Sequence, residues 1–346
     1  MNNSAVPDDT RLKLHLPKNF IPVLIISLVL LVLCVIASLV LGARHVGWKE
    51  LIDGLFHPDI DSYGANVVRK RISRTVFSLM CGGALGVSGA LMQAVTRNPI
   101  ADPSILGVNT GASLFVVCGI AFLNISSASQ YIWLALAGAA ITAVFVFGIG
   151  SMGRGGATPI KLVLAGAAIS AALSSLVTAI MIPRSYVMDQ FRFWQVGSVG
   201  AGTWSGITTF IPFLLAGMLI AFVTAPALNA LALGDDVATG LGVKTGTLRL
   251  IAALAGVLLC GATTALAGPI GFIGLLATHV IRLILGSDLR FIIPMSAVTG
   301  AIILTISDVC GRLLSNPGEL EVGVVTAFVG APILILLAMR SKVRSL

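Results

Sequence analysis

Ten apolar runs of membrane length alternate along the chain with polar or Gly/Pro breaks. They cover 20–43, 75–95, 104–123, 131–150, 160–183, 206–228, 247–267, 269–286, 291–311 and 321–340. A helix needs about 20 mostly apolar residues to cross a bilayer, so each run predicts one span. The expected fold is an all-α polytopic membrane protein with ten transmembrane helices. An even number of spans puts both termini on one side. Arg11, Lys13 and Lys18 precede the first run, and Arg340, Lys342 and Arg344 close the last. Positive charge marks the cytoplasmic side. The expected organisation is a cytoplasmic tail over 1–19, one membrane domain over 20–340 and a cytoplasmic tail over 341–346. The breaks at 96–103, Ser151–Ala157, 229–246 and Gly286–Arg290 then lie inside. Those at 44–74, 124–130, 184–205 and 312–320 lie outside. The first run exceeds the ~7–15-residue core of a signal peptide and reads as a retained span. The 184–205 segment is too short and glycine-rich to span, and Trp194 and Trp204 suggest an interfacial or partly re-entrant piece.

Composition changes the picture little. Of 346 residues, 57% are hydrophobic and 10% charged, with mean hydropathy +1.01. A soluble domain carries roughly 25% charged residues, so this chain cannot cover a water-facing surface. The 38 glycines fit closely packed helices. The net charge of +8 is scattered between apolar runs, which fits topology and not nucleic-acid binding. The five cysteines are far apart with no CxxC spacing, so neither a metal site nor a disulfide framework is expected.

The breaks and span ends carry the candidate chemistry. Arg69, Lys70, Arg71 and Arg74 cluster at the end of an outward segment, against the positive-inside expectation. Snorkelling suits any one of them, whereas four together suit an acidic partner, since arginine grips a carboxylate with two parallel bonds. Arg312 follows Asp308 by one helical turn, and an i,i+4 pair would make it partly structural. Gly82, Gly86 and Gly89 have the spacing of a packing face, as do Gly107 and Gly111. Asn98-Pro99-Ile100 and Thr158-Pro159 are breaks on the inward side. Each is either a plain turn or a constriction where irregular backbone lines a cavity, and spacing alone leans to the turn. In the 229–246 loop, Ala230, Leu231 and Leu233, then Val237, Ala238 and Leu241, can line one side of short helices broken at Gly234. Asp235 or Asp236 can cap the second. A solvated linker is as good a reading as a piece that docks into a partner's groove. Lys244-Thr245 lacks the Gly-Lys pair and preceding strand of a phosphate-binding loop. No catalytic pair is found, so no enzyme and no ATP site of its own is expected. His279 and Asp308 are ionisable residues inside apolar runs and keep an ion-coupled secondary transporter open as an alternative. A lone helical His such as His279 more often packs and bonds.

Several motifs in order resemble one family. They are RISR at 71–74, GALGVSGALMQAVTRNPIADPSILGVNTGA at 83–112, FRFWQVGS at 191–198 and ALGDDVATGLGV at 232–243. LAGPIGFIGLLATHVIRLILG at 266–286 and SDVCGR…GELEVGVVTAFVGAP at 307–332 complete the set. They are similar to the FecCD-type (BtuC-like) permeases of binding-protein-dependent ABC importers for ferric siderophores, haem and vitamin B12. The resemblance implies a ten-helix permease in a bacterial cytoplasmic membrane, paired with a second permease, either a copy or a related chain. It also implies two cytoplasmic ATPase subunits holding ATP and Mg, and an extracytoplasmic substrate-binding protein. The substrate it implies first is an iron-siderophore, with haem or cobalamin as alternatives. Arg71, Arg74 and Arg312 fall at its binding-protein docking positions. Asn98, Ile100, Thr158 and Pro159 fall at its inner gate. Leu233, Gly234, Asp235, Ala238, Leu241 and Gly242 fall at its ATPase-coupling positions. The chain departs from the family at Thr278 and Glu321, where the family usually has proline, so helix starts or kinks there are expected to differ.

Overall fold

The structure, a computed structural model, describes residue 17 and residues 19–340 except 43, 45, 58, 126–127, 154–157 and 316–317. Most of both expected tails, and part of the Ser151–Ala157 break, lie outside the described residues. The described residues form thirteen α-helices and no strand. These are α1 (Phe20–Val40), α2 (Trp48–Phe56), α3 (Tyr63–Thr96), α4 (Val108–Leu123), α5 (Ala128–Gly150), α6 (Pro159–Met181) and α7 (Ser185–Gln195). They continue as α8 (Trp204–Ala232), α9 (Asp235–Gly240), α10 (Thr245–Ala267), α11 (Ile273–Leu285), α12 (Leu289–Leu314) and α13 (Val322–Arg340), with a 3-10 turn at Pro103–Leu106. Each of the ten apolar runs carries one helix. Seven of these, α1, α3, α5, α6, α8, α10 and α12, are long and apolar enough to cross a membrane. The other three, α4, α11 and α13, are apolar but shorter. The chain is a multi-pass membrane protein.

Several boundaries differ from the hydropathy pattern, for local reasons. Helix α3 starts at Tyr63 and not at residue 75, because the Ser62 hydroxyl caps it by accepting the Ala65 N–H at 3.1 Å. Polar Arg69 to Arg74 therefore ride on its first turns. The 104–123 run is split, since the 3-10 turn ends at Gly107 with φ 71 before α4 begins. The 269–286 run becomes helical only at Ile273. Residues 267–270 instead pair with the loop after α7, where the Ser198 N–H donates to the Ala267 carbonyl at 2.6 Å. The 184–205 segment contains a full helix, α7.

Helix α3 is the axis of the fold. It packs on α12, α10 and α11, and most of its residues are buried. The glycine face explains how. A Cβ on Gly82, Gly86 or Gly89 would strike the backbone of Gly300, Ser296 or Gly274, so the helices touch main chain to main chain. Small residues permit such contact where no hydrophobic force drives association. Buried hydroxyls satisfy backbone carbonyls across the same contacts: Ser88 donates to Gly256 O at 2.5 Å and Thr278 to Gly86 O at 3.4 Å. Thr278 therefore helps bind α11 to α3. Helices α1, α6 and α8 lie at the periphery, with large apolar side chains exposed.

Candidate functional site

At one end of α3 the expected docking arginines form a bonded network. Arg71 and Arg312 are buried and grip the C-terminus of α1. A helix leaves its last four carbonyls unpaired, and here all four are accounted for. Ala37 O takes the Leu41 N–H at 2.7 Å. Ser38 O takes Arg312 Nη1 at 3.0 Å. Leu39 O and Val40 O take Arg71 Nη1 at 2.9 and 2.8 Å. Cationic donors at a helix C-terminus also oppose its dipole. The i,i+4 pair is present: Arg312 Nη2 lies 3.1 Å from Asp308, and both side chains are 2% exposed. Arg74 donates to the other side of the Asp308 carboxylate, with Nη2 to Oδ1 at 2.7 Å, and reaches Glu319 with Nη1 at 2.6 Å. Arg69 ties the α2–α3 turn through the His57 and Ile60 carbonyls. A recess of about 240 Å³ opens beside this network, lined by Arg44, Lys70, Arg71, Arg74, Arg312 and Glu319, together with Val67 and Gly200. Five cations face one lining carboxylate, so the recess suits a further carboxylate.

At the opposite end of α3 the chain turns sharply. Arg97 caps the helix in the left-handed region, at φ 49 and ψ 32. Asn98 then makes a local turn, its side-chain oxygen accepting the Ile100 N–H at 3.1 Å. Asn98 is half-buried and Ile100 exposed. Helix α6 begins at the second expected break. Thr158 is its extended cap and Pro159 its first residue, where the missing N–H costs nothing. It packs against the 103–106 turn that follows the first break.

The 229–246 loop folds beside this end. Helix α8 runs on to Ala232, and α9 follows after Gly234 at φ 122, a conformation open to glycine alone. Gly234 takes the cap position of α9, so neither aspartate caps it. Helix α9 is closed by a Schellman turn at Gly242, two residues past its end, with Val243 N–H to Ala238 O and Gly242 N–H to Thr239 O, both at 2.9 Å. The apolar residues divide between two faces. Leu231 and Ala238 are buried, while Leu233, Val237 and Leu241 are 67%, 49% and 65% exposed. The Asp235 carboxylate turns to two arginines. Arg249 of α10 binds it bidentately at 2.8 and 3.0 Å, and Arg97 donates to Oδ1. Partial burial pushes the Asp235 pKa up, but the hydrogen bonds and charge of Arg249, joined by Arg97, outweigh this and hold it below its ordinary value. Asn229 of α8 is tied to the start of α12 by Asp288, at 2.7 Å.

A further recess, of about 440 Å³ and with a partly polar lining, was not singled out by the sequence motifs. Asn109 and Ser113 of α4, Ser174 and Thr178 of α6 and Gln195 of α7 line it. The signal was present in the sequence, as two i,i+4 polar pairs within apolar helices. No cluster of metal-ligating side chains exists among the described residues.

The FecCD transport family model matches residues 30–340. The chain belongs to the FecCD transport family. It is 40% identical over 320 residues to the "Probable siderophore transport system permease protein YfiZ" of Bacillus subtilis, spanning 92% of this chain and 96% of that one. It is 41% identical over 314 residues to the "Ferric enterobactin transport system permease protein FepD" of Escherichia coli, spanning 90% and 93%. The "Hemin transport system permease protein HmuU" of Yersinia pestis is 32% identical over 324 residues, with 91% and 94% covered. Among solved structures, a metal-chelate type ABC transporter chain in an inward-facing conformation superposes with a TM-score of 0.79. It is 26% identical, with 93% of this chain and 99% of that chain covered. The FecCD family supplies permease subunits, and this member is accordingly a transport protein and not a catalyst.

Proposed function

We propose that this chain is the transmembrane permease of an ATP-driven, binding-protein-dependent importer of a ferric siderophore in a bacterial cytoplasmic membrane. The observation that carries the reading is the match to siderophore permeases over about nine-tenths of both chains. In this reading all ten apolar helices of the 20–340 domain span, and both termini are cytoplasmic. A second permease, identical or related, completes the pathway. Two cytoplasmic ATPase subunits hold ATP and Mg.

The loaded binding protein docks at the cationic recess. Arg71, Arg74 and Arg312 form its floor, and a partner carboxylate joins Glu319 there. ATP-driven closure of the ATPases pushes on the exposed Leu233, Val237 and Leu241, with Gly234 and Gly242 setting the angle of α9 and Ala238 anchoring it. Asn98, Ile100, Thr158 and Pro159 form the inner gate. The uncharged hydroxyls and amides of the polar recess let a bulky chelate pass without binding it tightly.

A haem or cobalamin importer is a second reading, favoured by the 32% identity to the hemin permease. An ion-coupled secondary transporter has less support, because its membrane carboxylate Asp308 is held between Arg74 and Arg312. Iron uptake by cells lacking their own permease tests the proposal. Ferric siderophore uptake should return with this chain and its partners. Uptake of haemin or cobalamin instead would overturn the siderophore assignment.

A further inference from the structure

The importer reading leaves open how motion of α9 reaches the break after α3. One side chain joins the two. Asp235 is the first residue of α9, and its Oδ1 accepts both Arg97 of the α3 cap and Arg249 of α10. The two branches differ. Arg249 is 8% exposed and makes two parallel bonds from a helix packed into the core. It is the fixed branch. Arg97 is 32% exposed, bonds through Nη2, and sits in a left-handed conformation that residues with a side chain seldom adopt. Asn98 follows immediately, and its carbonyl and side chain fix Ala101 and Ile100. The register of the 97–101 turn therefore depends on where Arg97 is held.

We propose that Asp235 is a positioning residue that links α9 to the 97–101 turn through Arg97, with Arg249 as the pivot. The inference rests on the importer reading for its purpose, though not for its geometry. When α9 shifts against a partner, the Asp235 carboxylate turns about the Arg249 fork and draws or releases Arg97. The turn then opens or closes with α9. The Arg97 pair is exposed enough to add little to stability, so breaking it by Arg97→Gln should change communication and not folding.

The first test needs no transport. Amide hydrogen exchange is compared between the purified chain and its Asp235→Asn and Arg97→Gln variants. Exchange at 98–101 should rise in both, although residue 235 is remote in sequence, while α12 stays protected. Unchanged exchange at 98–101 in Asp235→Asn would overturn the link. The second test uses the reconstituted complex with its ATPases and binding protein. Arg97→Gln should keep ATP hydrolysis within about twofold while uptake per ATP falls about fivefold or more, the low end of coupling between linked sites. Arg97→Lys should recover most of the loss, and Arg97→Gln with Asp235→Asn should be no worse than Asp235→Asn alone. Uptake per ATP unchanged in Arg97→Gln, or hydrolysis and uptake falling in proportion, would overturn it. A wild-type complex that transports nothing would instead refute the importer reading, with the exchange result still deciding the link.

Discussion

Cationic side chains do two jobs at one end of α3, and burial separates them. Arg312 is 2% exposed and shares its charge between Asp308 and the end of α1. Removing one partner of a buried pair costs about 3–5 kcal/mol. Arg312→Ala should therefore lower thermal stability in detergent by that order, and Arg312→Lys should not restore it, because one ammonium cannot span Ser38, Leu41 and Asp308. Lys70 is exposed on the recess rim. Lys70→Ala should leave stability within about 0.5 kcal/mol yet weaken binding-protein affinity, as read by titration. The RISR and SDVCGR motifs identified Arg71 and Arg312, but no spacing rule could assign them to the end of α1, more than thirty residues upstream of Arg71. The pH response belongs to Asp235. Its folded pKa lies below the ordinary 3.8, so its contribution is complete above that value and is lost only as pH falls through the lower folded one. Exchange at 98–101 in the purified chain should be set by this link identically from about pH 5 to about pH 8 once the intrinsic rate is corrected for. A protection loss inside that window would contradict the pairing.

Among the elements, hydropathy located every apolar helix but not its ends. Polarity hid the first turns of α3, because a helix leaving the membrane no longer needs apolar residues. The break inside 104–123 was hidden for the opposite reason, since Ile105 and Leu106 carry the apolar pattern of the sequence through the 3-10 turn into α4. The loop holding α9 read equally as linker or as docking piece. The structure adds that Leu231 and Ala238 turn inward and leave Leu233, Val237 and Leu241 outside. Gly234 gives the element-scale prediction. Its φ is 122 and no atom lies within 4 Å of an added Cβ, so Gly234→Ala meets backbone strain alone, of order 1–3 kcal/mol. The strain falls on α9 and not on the core. Transport per ATP should drop while the melting temperature of the bundle stays near wild type, measured by uptake and by differential scanning fluorimetry.

At the scale of the whole molecule, α3, α10 and α12 form the interior, and α6 stands outside it with a face of small residues. Ala167, Ala168, Ala171, Ala172, Ser174 and Ser175 run along α6, and among them Ser174 lines the polar recess. Lipid contact asks nothing of small residues, whereas close helix contact does, so this face suits a second permease. Single cysteines at Ala168 or Ser175, in a background without the five native cysteines, should cross-link two permeases in the membrane. Cysteine at the exposed Leu219 of α8 should not. In the importer proposed here, ATP hydrolysed by partner subunits drives a delivered iron chelate through this bundle. The most direct test is ferric siderophore uptake into proteoliposomes holding the full complex, with ATP inside and binding protein outside. Uptake should require both and persist when ion gradients are collapsed. Uptake driven by an ion gradient without ATP would contradict it.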